Sequence, residues 1–198
     1  MVDISVCIPT YNSEKSLGRA IRSVLMQNGC DLELIVSGNA SNDNTEALVR
    51  GLNCESISYN RHKENIGYPA NVNYCLDNAN GEFIFILCAD DFLVHENVLS
   101  ELLCSLRANS NAVASHLPFQ LYRQGQENCY PIGKPFSPLS PGNLSTLDVF
   151  SAFSKGNGCF GWCWLVRREV LWQSNLRFDT DHSMAPDSMF WLRLSMKG

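Results

Sequence analysis

Asp90 and Asp91 stand side by side two residues after Phe83–Leu87, an unbroken apolar run. Asp is a poor strand residue and is rarely buried unpaired. A greasy run that ends in two acids therefore delivers charge to one chosen spot. Carboxylates this close repel unless a cation sits between them, and their hard oxygens select Mg²⁺ or Mn²⁺. One pair is a thin cage, so water and substrate phosphates would complete the metal's shell. The plain alternative is an N-capping pair for a helix that starts near His95.

The other chemistry-bearing residues are more easily over-read. Gly156 to Gly161, "GNGCFG", fits the dinucleotide fingerprint on paper, but that motif must follow a first strand and open a helix. Here it follows a helical pattern and precedes an apolar run, so it is rejected. No Gly-x-x-x-x-Gly-Lys-Ser/Thr loop and no Gly-x-Ser-x-Gly elbow occurs. His62, His95, His116 and His182 are dispersed along the chain. Trp162, Trp164 and Trp172 offer either a sugar-stacking platform or core packing. Asp179 and Asp181 read as loop acids.

Elements must position the acid pair. "ISVCI" (4–8) is apolar and β-branched and is closed by Pro9, which predicts a buried strand. After the polar loop "PTYNSEKS", Leu17, Ala20, Ile21, Val24 and Leu25 recur at helical spacing. "LELIV" (32–36) predicts a second strand, followed by the turn-rich "SGNASND". Asp43 to Glu46 reads as an N-cap with a capping-box acid, opening a helix through Leu52. "SISYN" (56–60) is a third strand. Pro69 falls in the first turn of a further helix that ends near Gly81. A strand at 83–88 follows, then a helix marked by Val98, Leu99, Leu102, Leu103 and Leu106, then a strand at 112–117.

The second half is less regular. Residues 118–145 carry Pro118, Pro131, Pro135, Pro138 and Pro141, which predicts a long irregular excursion. A short helix (Leu147, Phe150, Phe153), the apolar "CFGWCWLV" and a closing helix complete the chain. In that last helix Phe190, Trp191 and Leu194 face inward and Asp187 lies in the first turn. Strand–helix alternation at this spacing implies an α/β fold with a mostly parallel sheet covered on both faces. Ligands of such sheets bind beyond the carboxyl ends of the strands. "PTYN", "SGNASND" and "CADD" each lie at such an end, so three polar loops converge on one edge.

Composition narrows the function. The 198 residues suffice for one sizeable core, and 45% apolar with 18% charged content is globular. A net charge of −5 without basic runs argues against nucleic acid as a partner. No apolar run approaches the roughly 20 residues that span a bilayer. The start, Met1-Val2-Asp3, leads straight into a strand pattern and not a signal peptide. The nine cysteines are scattered, and the close pair Cys159 and Cys163 lacks a second pair to complete a zinc site. Small buried hydrophobes in a reducing cytosol account for them.

Four ordered motifs now carry a resemblance: "ISVCIPTYNSEKSLGRAIRSVLMQ", "ELIVSGNASNDNT", "ENIGYPANVNYCLDNANGEFIFILCADD" and "APDSMFWLRLS". Together they resemble inverting glycosyltransferases of family two, which have a single Rossmann-like GT-A domain. The likeness is strong over residues 4 to about 110 and loose over about 155 to 198. It implies that Pro9, Thr10 and Tyr11 form the loop that holds the nucleotide base, with Tyr11 available to stack. Asn39 falls in the loop that hydrogen-bonds the base, and Asn65 and Gly67 match an Asn-x-Gly element beside the nucleotide. Asp90 and Asp91 match the Asp-x-Asp-type metal motif, the last acid binding the ion and its neighbour helping to hold ribose or metal. Asp187 matches the catalytic base.

The resemblance further implies a divalent cofactor, Mn²⁺ or Mg²⁺, a nucleotide-diphosphate donor, expected to be UDP-linked, and a saccharide or lipid-linked saccharide acceptor. Surface polysaccharide synthesis is the expected process. The location expected is cytoplasmic, with peripheral contact at the inner face of the membrane in the full-length protein. Residues 1–115 would form the nucleotide-sugar half and 116–198 the acceptor half, cut short at Gly198. Three departures stand out: Gly38 and Cys88 where relatives often have Asp, and Pro186 where Glu is frequent. They keep a non-catalytic nucleotide-sugar-binding module in view as a rival. A sugar nucleotidyltransferase is a weaker rival, since "PTYNSEKS" lacks the Gly-rich, Arg-containing loop it would need.

Overall fold

A computed structural model describes residues 2–124, 129–136, 145–154, 164–181 and 186–197. In chain order its elements are β1 (Ile4–Thr10), α1 (Leu17–Leu25), β2 (Leu32–Gly38), α2 (Thr45–Gly51), β3 (Ile57–Arg61), α3 (Tyr68–Asp77), β4 (Phe83–Ile86), α4 (Val98–Ala108), β5 (Ala114–His116), β6 (Phe119–Gln124), β7 (Cys129–Phe136), α5 (Thr146–Ser154), β8 (Trp164–Arg167), α6 (Arg168–Gln173) and α7 (Pro186–Ser195). Six strands form one sheet in the order β3-β2-β1-β4-β8-β5. β1 pairs in parallel with both β2 and β4, β2 with β3, and only β8 runs against its neighbours.

The largely apolar character of β1 and the wholly apolar one of β4 follow from their central place. Every β1 and β4 residue is buried, because helices cover both faces of a parallel sheet. With the two-residue period of a strand, Ile4, Val6 and Ile8 pack on one side against Leu17, Ile21, Leu99 and Leu102 of α1 and α4. Cys7 points the other way, into a core with Val72 and Leu76 of α3 and Phe190, Trp191 and Leu194 of α7. The chain builds outward from β1 through β2 to β3, then returns to β4 on the opposite side of β1. That reversal opens a crevice at the strands' carboxyl ends.

Several local expectations change in the folded chain. β4 ends at Ile86 and not at residue 88, although the Leu87 N–H still reaches the Cys7 carbonyl at 2.9 Å. α3 stops at Asp77, where the Asn78 amide turns back to donate to the Tyr74 carbonyl at 2.8 Å. Glu46 does not form the expected capping box; it pairs with Arg50 at 2.9 Å and Arg61 at 3.0 Å, while Asp43 accepts the Thr45 N–H. The Pro-rich stretch is not wholly irregular: β6 and β7 form an antiparallel ribbon with a register irregularity between Phe119 and Leu121. A two-stranded ribbon has two open edges, and a proline with no N–H is tolerated at an edge.

Candidate functional site

The two aspartates converge because the chain turns immediately after β4. The Asp91 N–H donates to the Cys88 carbonyl at 3.0 Å, closing a turn over Cys88–Asp91. The turn brings one Cys88, one Asp90 and one Asp91 ligand atom within 4.8 Å of one another. Arg19 of α1 reaches across, donating to the Asp90 carbonyl at 3.2 Å and lying 4.6 Å over the Phe92 ring. Helix α4 starts only at Val98 with Asn97 as its cap, so Asp90 and Asp91 are too far upstream to cap it. Burial first, and the Asp90 charge second, push the Asp91 carboxyl up to about 6, against the opposing pull of Arg19. A cation would relieve that strain. Two carboxylates and a thiol within a span of this size suit a divalent ion whose other positions go to water and phosphate oxygens.

A cavity of about 570 Å³ opens beside this turn, lined among others by Pro9, Tyr11, Asn12, Tyr68, Cys88 and Asp90. Tyr11 is 45% exposed, which leaves its ring face open to a flat ligand. The wall around it is pre-built by bonds between the loops after β1 and β2. The Asn12 N–H donates to Ser41 Oγ at 3.0 Å, the Ser13 N–H to Thr45 Oγ1 at 2.8 Å and the Glu14 N–H to Asp43 Oδ2 at 3.0 Å. The Asn42 N–H donates in turn to Asn12 Oδ1 at 2.8 Å. Asn12 and Ala40 both adopt left-handed φ values, +50° and +57°, and for Ala40 that conformation is strained.

Asn39, Asn65 and Gly67 form a clamp. Asn39 is buried at the end of β2; its Nδ2 donates to Asn65 Oδ1 at 2.8 Å and its Oδ1 accepts the Ile66 N–H at 2.9 Å. Asn65 Oδ1 also accepts the Gly67 N–H at 2.9 Å. Gly67 has φ +82° and ψ 158°, a region essentially reserved for glycine. These three residues therefore spend their polar groups on bending the chain into α3, and so on placing Tyr68 in the cavity. Spacing gave no signal for Asn71, which is buried and closes a second tie: Ser37 Oγ donates to Asn71 Oδ1 at 2.7 Å and stands 3.1 Å from His62 Nε2.

Gly38 has a steric reason. A Cβ there would meet the Tyr59 hydroxyl at 2.6 Å and the Asn60 carbonyl at 3.3 Å. The phenol thus occupies the place where an acid's side chain would begin. Gly38 is the register partner of Thr10, and Thr10 Oγ1 and the Tyr59 hydroxyl are both buried with no hydrogen-bond partner among the described residues. Leaving such groups unpaired costs about 1–3 kcal/mol each, so this corner is suited to accept polar groups from a ligand or water.

Asp187, close enough to Tyr68 for its charge to act on that ring, is half-buried in the first turn of α7, directly after Pro186. Proline at the first helical position has its φ preset and loses no intrahelical bond, so Pro186 fits this helix start. Tyr68 lies near both the acid turn and α7. Its hydroxyl bonds the Cys88 side chain, and burial first, then nearby Cys88 and Asp187, push its ionisation far up. Tyr68 is the site residue that sequence reasoning missed; its signal was its place directly after Asn-x-Gly. Trp164 stacks on Trp191 in the core, and Trp172 lies between Arg168 and Arg177. Asp181 is exposed and donates its N–H to Asp179. His182, Trp162, Cys159, Cys163 and the Gly156–Gly161 motif lie outside the described residues.

With this geometry in place, comparison with known proteins gives the family. The model for "Glycosyl transferase family 2" matches residues 5–174. The chain belongs to glycosyl transferase family 2. A GalNAc(5)-diNAcBac-PP-undecaprenol β-1,3-glucosyltransferase of Campylobacter jejuni is 36% identical over 122 residues, 59% of this chain and 37% of that protein. Among solved structures, TarS 1–349 of S. aureus in complex with UDP-GlcNAc superposes with a TM-score of 0.77 at 20% identity, covering 98% of this chain and 54% of that one. The mannosyltransferase PcManGT of Pyrobaculum calidifontis, in complex with GDP-Man and Mn²⁺, superposes with a TM-score of 0.70 at 20% identity, covering 100% and 55%. At that identity the likeness establishes the family-2 chain's GT-A fold. The chain spans between about a third and a little over half of these proteins.

Proposed function

We propose that this family-2 chain forms the donor-binding and catalytic part of an inverting, metal-dependent glycosyltransferase. It takes a sugar from a nucleotide diphosphate, a UDP-sugar in our reading, to the hydroxyl of a saccharide or lipid-linked saccharide acceptor in surface polysaccharide synthesis. The observation that carries this reading is the meeting of three loops at one cavity. The Cys88–Asp91 turn contributes to its lining, and Asp187 of α7 lies near Tyr68, another of its lining residues. The UDP-GlcNAc and GDP-Man complexes of the two structural neighbours and the undecaprenol-linked substrate named for the curated relative support it.

In this mechanism Pro9, Thr10 and Tyr11 receive the base, and the Asn39–Asn65–Gly67 clamp holds that wall in place. Asp90 and Asp91 would hold Mn²⁺ or Mg²⁺. A bound ion supplies neutralisation of the charge that develops on the departing diphosphate. Asp187, on the far side of the sugar, accepts the acceptor's proton as its oxygen attacks, so one displacement inverts the anomeric centre. Residues 1–115 then serve the donor and 116–198 the acceptor. No helix among the described residues is long and apolar enough to cross a membrane. We place the protein in the cytoplasm, with peripheral contact at the inner membrane face.

A thermal-shift screen of UDP-, GDP- and dTDP-sugars with and without Mn²⁺ tests the reading, because a ligand of the native state raises Tm by mass action. We expect a UDP-sugar with Mn²⁺ to give the largest shift; no shift with any nucleotide sugar would end the proposal. Stabilisation without sugar transfer by the full native chain would leave a binding module instead. Within the pocket, Tyr11→Ala should weaken nucleotide binding by about 1–3 kcal/mol, the usual worth of base stacking on an aromatic ring. An unchanged calorimetric affinity would place the base elsewhere.

A further inference from the structure

Cys88 is the departure that the fold does not explain by packing. It is only partly buried and lines the cavity beside Asp90. Cys7 and Cys75, in contrast, are buried in the apolar core. The carbonyl of Cys88 closes the turn that carries the acids, and its side chain has a ligand atom within 4.8 Å of both carboxylates. Donor atoms bound to one ion at roughly 2.0–2.3 Å can stand at most about 4.6 Å apart, so small side-chain rotations bring all three to a common centre. The Tyr68 hydroxyl bonds the Cys88 side chain, and both residues line the cavity. Such a partner behind a ligand fixes its orientation.

We propose that Cys88 is a third ligand of the cation held by Asp90 and Asp91, so that this site favours Mn²⁺ and thiophilic ions over Mg²⁺. The inference rests on the metal-dependent reading above and adds to it the ion class. An all-oxygen set of carboxylates, water and phosphate suits Mg²⁺, a hard ion. Replacing one oxygen by a polarisable sulfur shifts the preference toward softer ions, and a coordinated thiol is held as thiolate. Cd²⁺ and Zn²⁺ would then compete with Mn²⁺ for the site.

The test titrates Co²⁺, Cd²⁺ and Mg²⁺ into the protein with a UDP-sugar present. With Co²⁺, a thiolate-to-cobalt charge-transfer band in the near ultraviolet is expected; it should vanish in Cys88→Ser and persist in Cys104→Ser. By calorimetry the preference for Cd²⁺ over Mg²⁺ should fall by about 10- to 100-fold in Cys88→Ser, in line with the usual effect of disturbing a metal's surroundings. Protection of Cys88 from iodoacetamide by Cd²⁺, read by peptide mass spectrometry on the unmodified sequence, keeps the test independent of how the variant folds. If cations bind with no sulfur band, no protection and an unchanged preference, Cys88 lies outside the shell and the proposal fails while the metal reading stands. If no cation binds at all, both fail.

Discussion

Asp187→Asn is expected to slow sugar transfer by about 10²–10⁴-fold, the usual worth of a positioned general base, with donor affinity unchanged. The substitution keeps the size of the side chain and its hydrogen-bonding reach but removes the group that accepts a proton. Asp187 follows Pro186 in the first turn of α7, and the inward face of that helix, Phe190, Trp191 and Leu194, is buried. The helix is anchored by that face, so the variant should fold. The plain alternative for an acid at this place is complementing the helix dipole, worth roughly 0.3–1 kcal/mol. That role affects stability and not turnover. The two therefore separate cleanly in the full native chain. A rate loss at constant donor Kd supports the base, whereas wild-type turnover removes Asp187 from the mechanism and makes Asp181 the next acid to change.

Asp91→Asn is expected to remove the metal-dependent part of UDP-sugar binding and to raise the Tm of the ligand-free protein at neutral pH. Asp91 is exposed, yet desolvation by the protein around it, followed by the Asp90 charge, pushes its carboxyl up to about 6. The ordinary value is about 3.9, so the folded state binds this proton more tightly than the unfolded one. Ionising the carboxyl then opposes folding: the penalty is absent below about pH 4, grows as pH rises and is complete above about 6. The stabilisation by Asn should be present at pH 7.5 and vanish toward pH 4 in scanning calorimetry. The same carboxyl must shed its proton to hold a cation. Metal-dependent UDP-sugar affinity should therefore fall by at least about tenfold per pH unit below 6, and more steeply where Cys88 also gives up its proton to the ion. A UDP-sugar is the right probe because its diphosphate has no group that titrates there. Equal affinity with Mn²⁺ and with chelator at pH 7.5 would remove the metal from the mechanism.

Both predictions target residues that were visible before any coordinates. Asp90 and Asp91 could be picked out because acids at the end of a buried strand point to a cleft more readily than to a helix cap, and Asp187 because the family resemblance matched it to the catalytic base. The sheet, too, was readable from periodicity. Phe83–Leu87 is an unbroken apolar run, Ile4–Ile8 and Leu32–Val36 are apolar but for Ser5 and Glu33, and the intervening helices follow the 3.6 period. What failed was local. The Pro-rich stretch hid the ribbon of β6 and β7, and the Asp43–Glu46 capping box gave way to ion pairs of Glu46 with Arg50 and Arg61. A charged side chain at the first turn has several partners within reach, and only the neighbouring strand decides among them.

The sequence by itself determined the parallel strands β1 to β4 and which loops meet at their carboxyl ends, because burial leaves a period that the amino acids display directly, whereas the antiparallel β8 showed only as an apolar stretch. It could not determine how polar side chains divide between structure and ligand. Asn39 and Asn65 match a nucleotide loop, yet each is bonded to the other or to nearby backbone. Gly38 resembles a lost acid, yet the Tyr59 hydroxyl from β3 fills the space. Cys88 resembles another lost acid, yet the turn sets it beside both aspartates under the Tyr68 hydroxyl. Hydrogen bonds and ligand contacts depend on a few ångströms and on orientation, and residues far apart in the chain supply the partners. Only the closed tertiary structure brings those partners together.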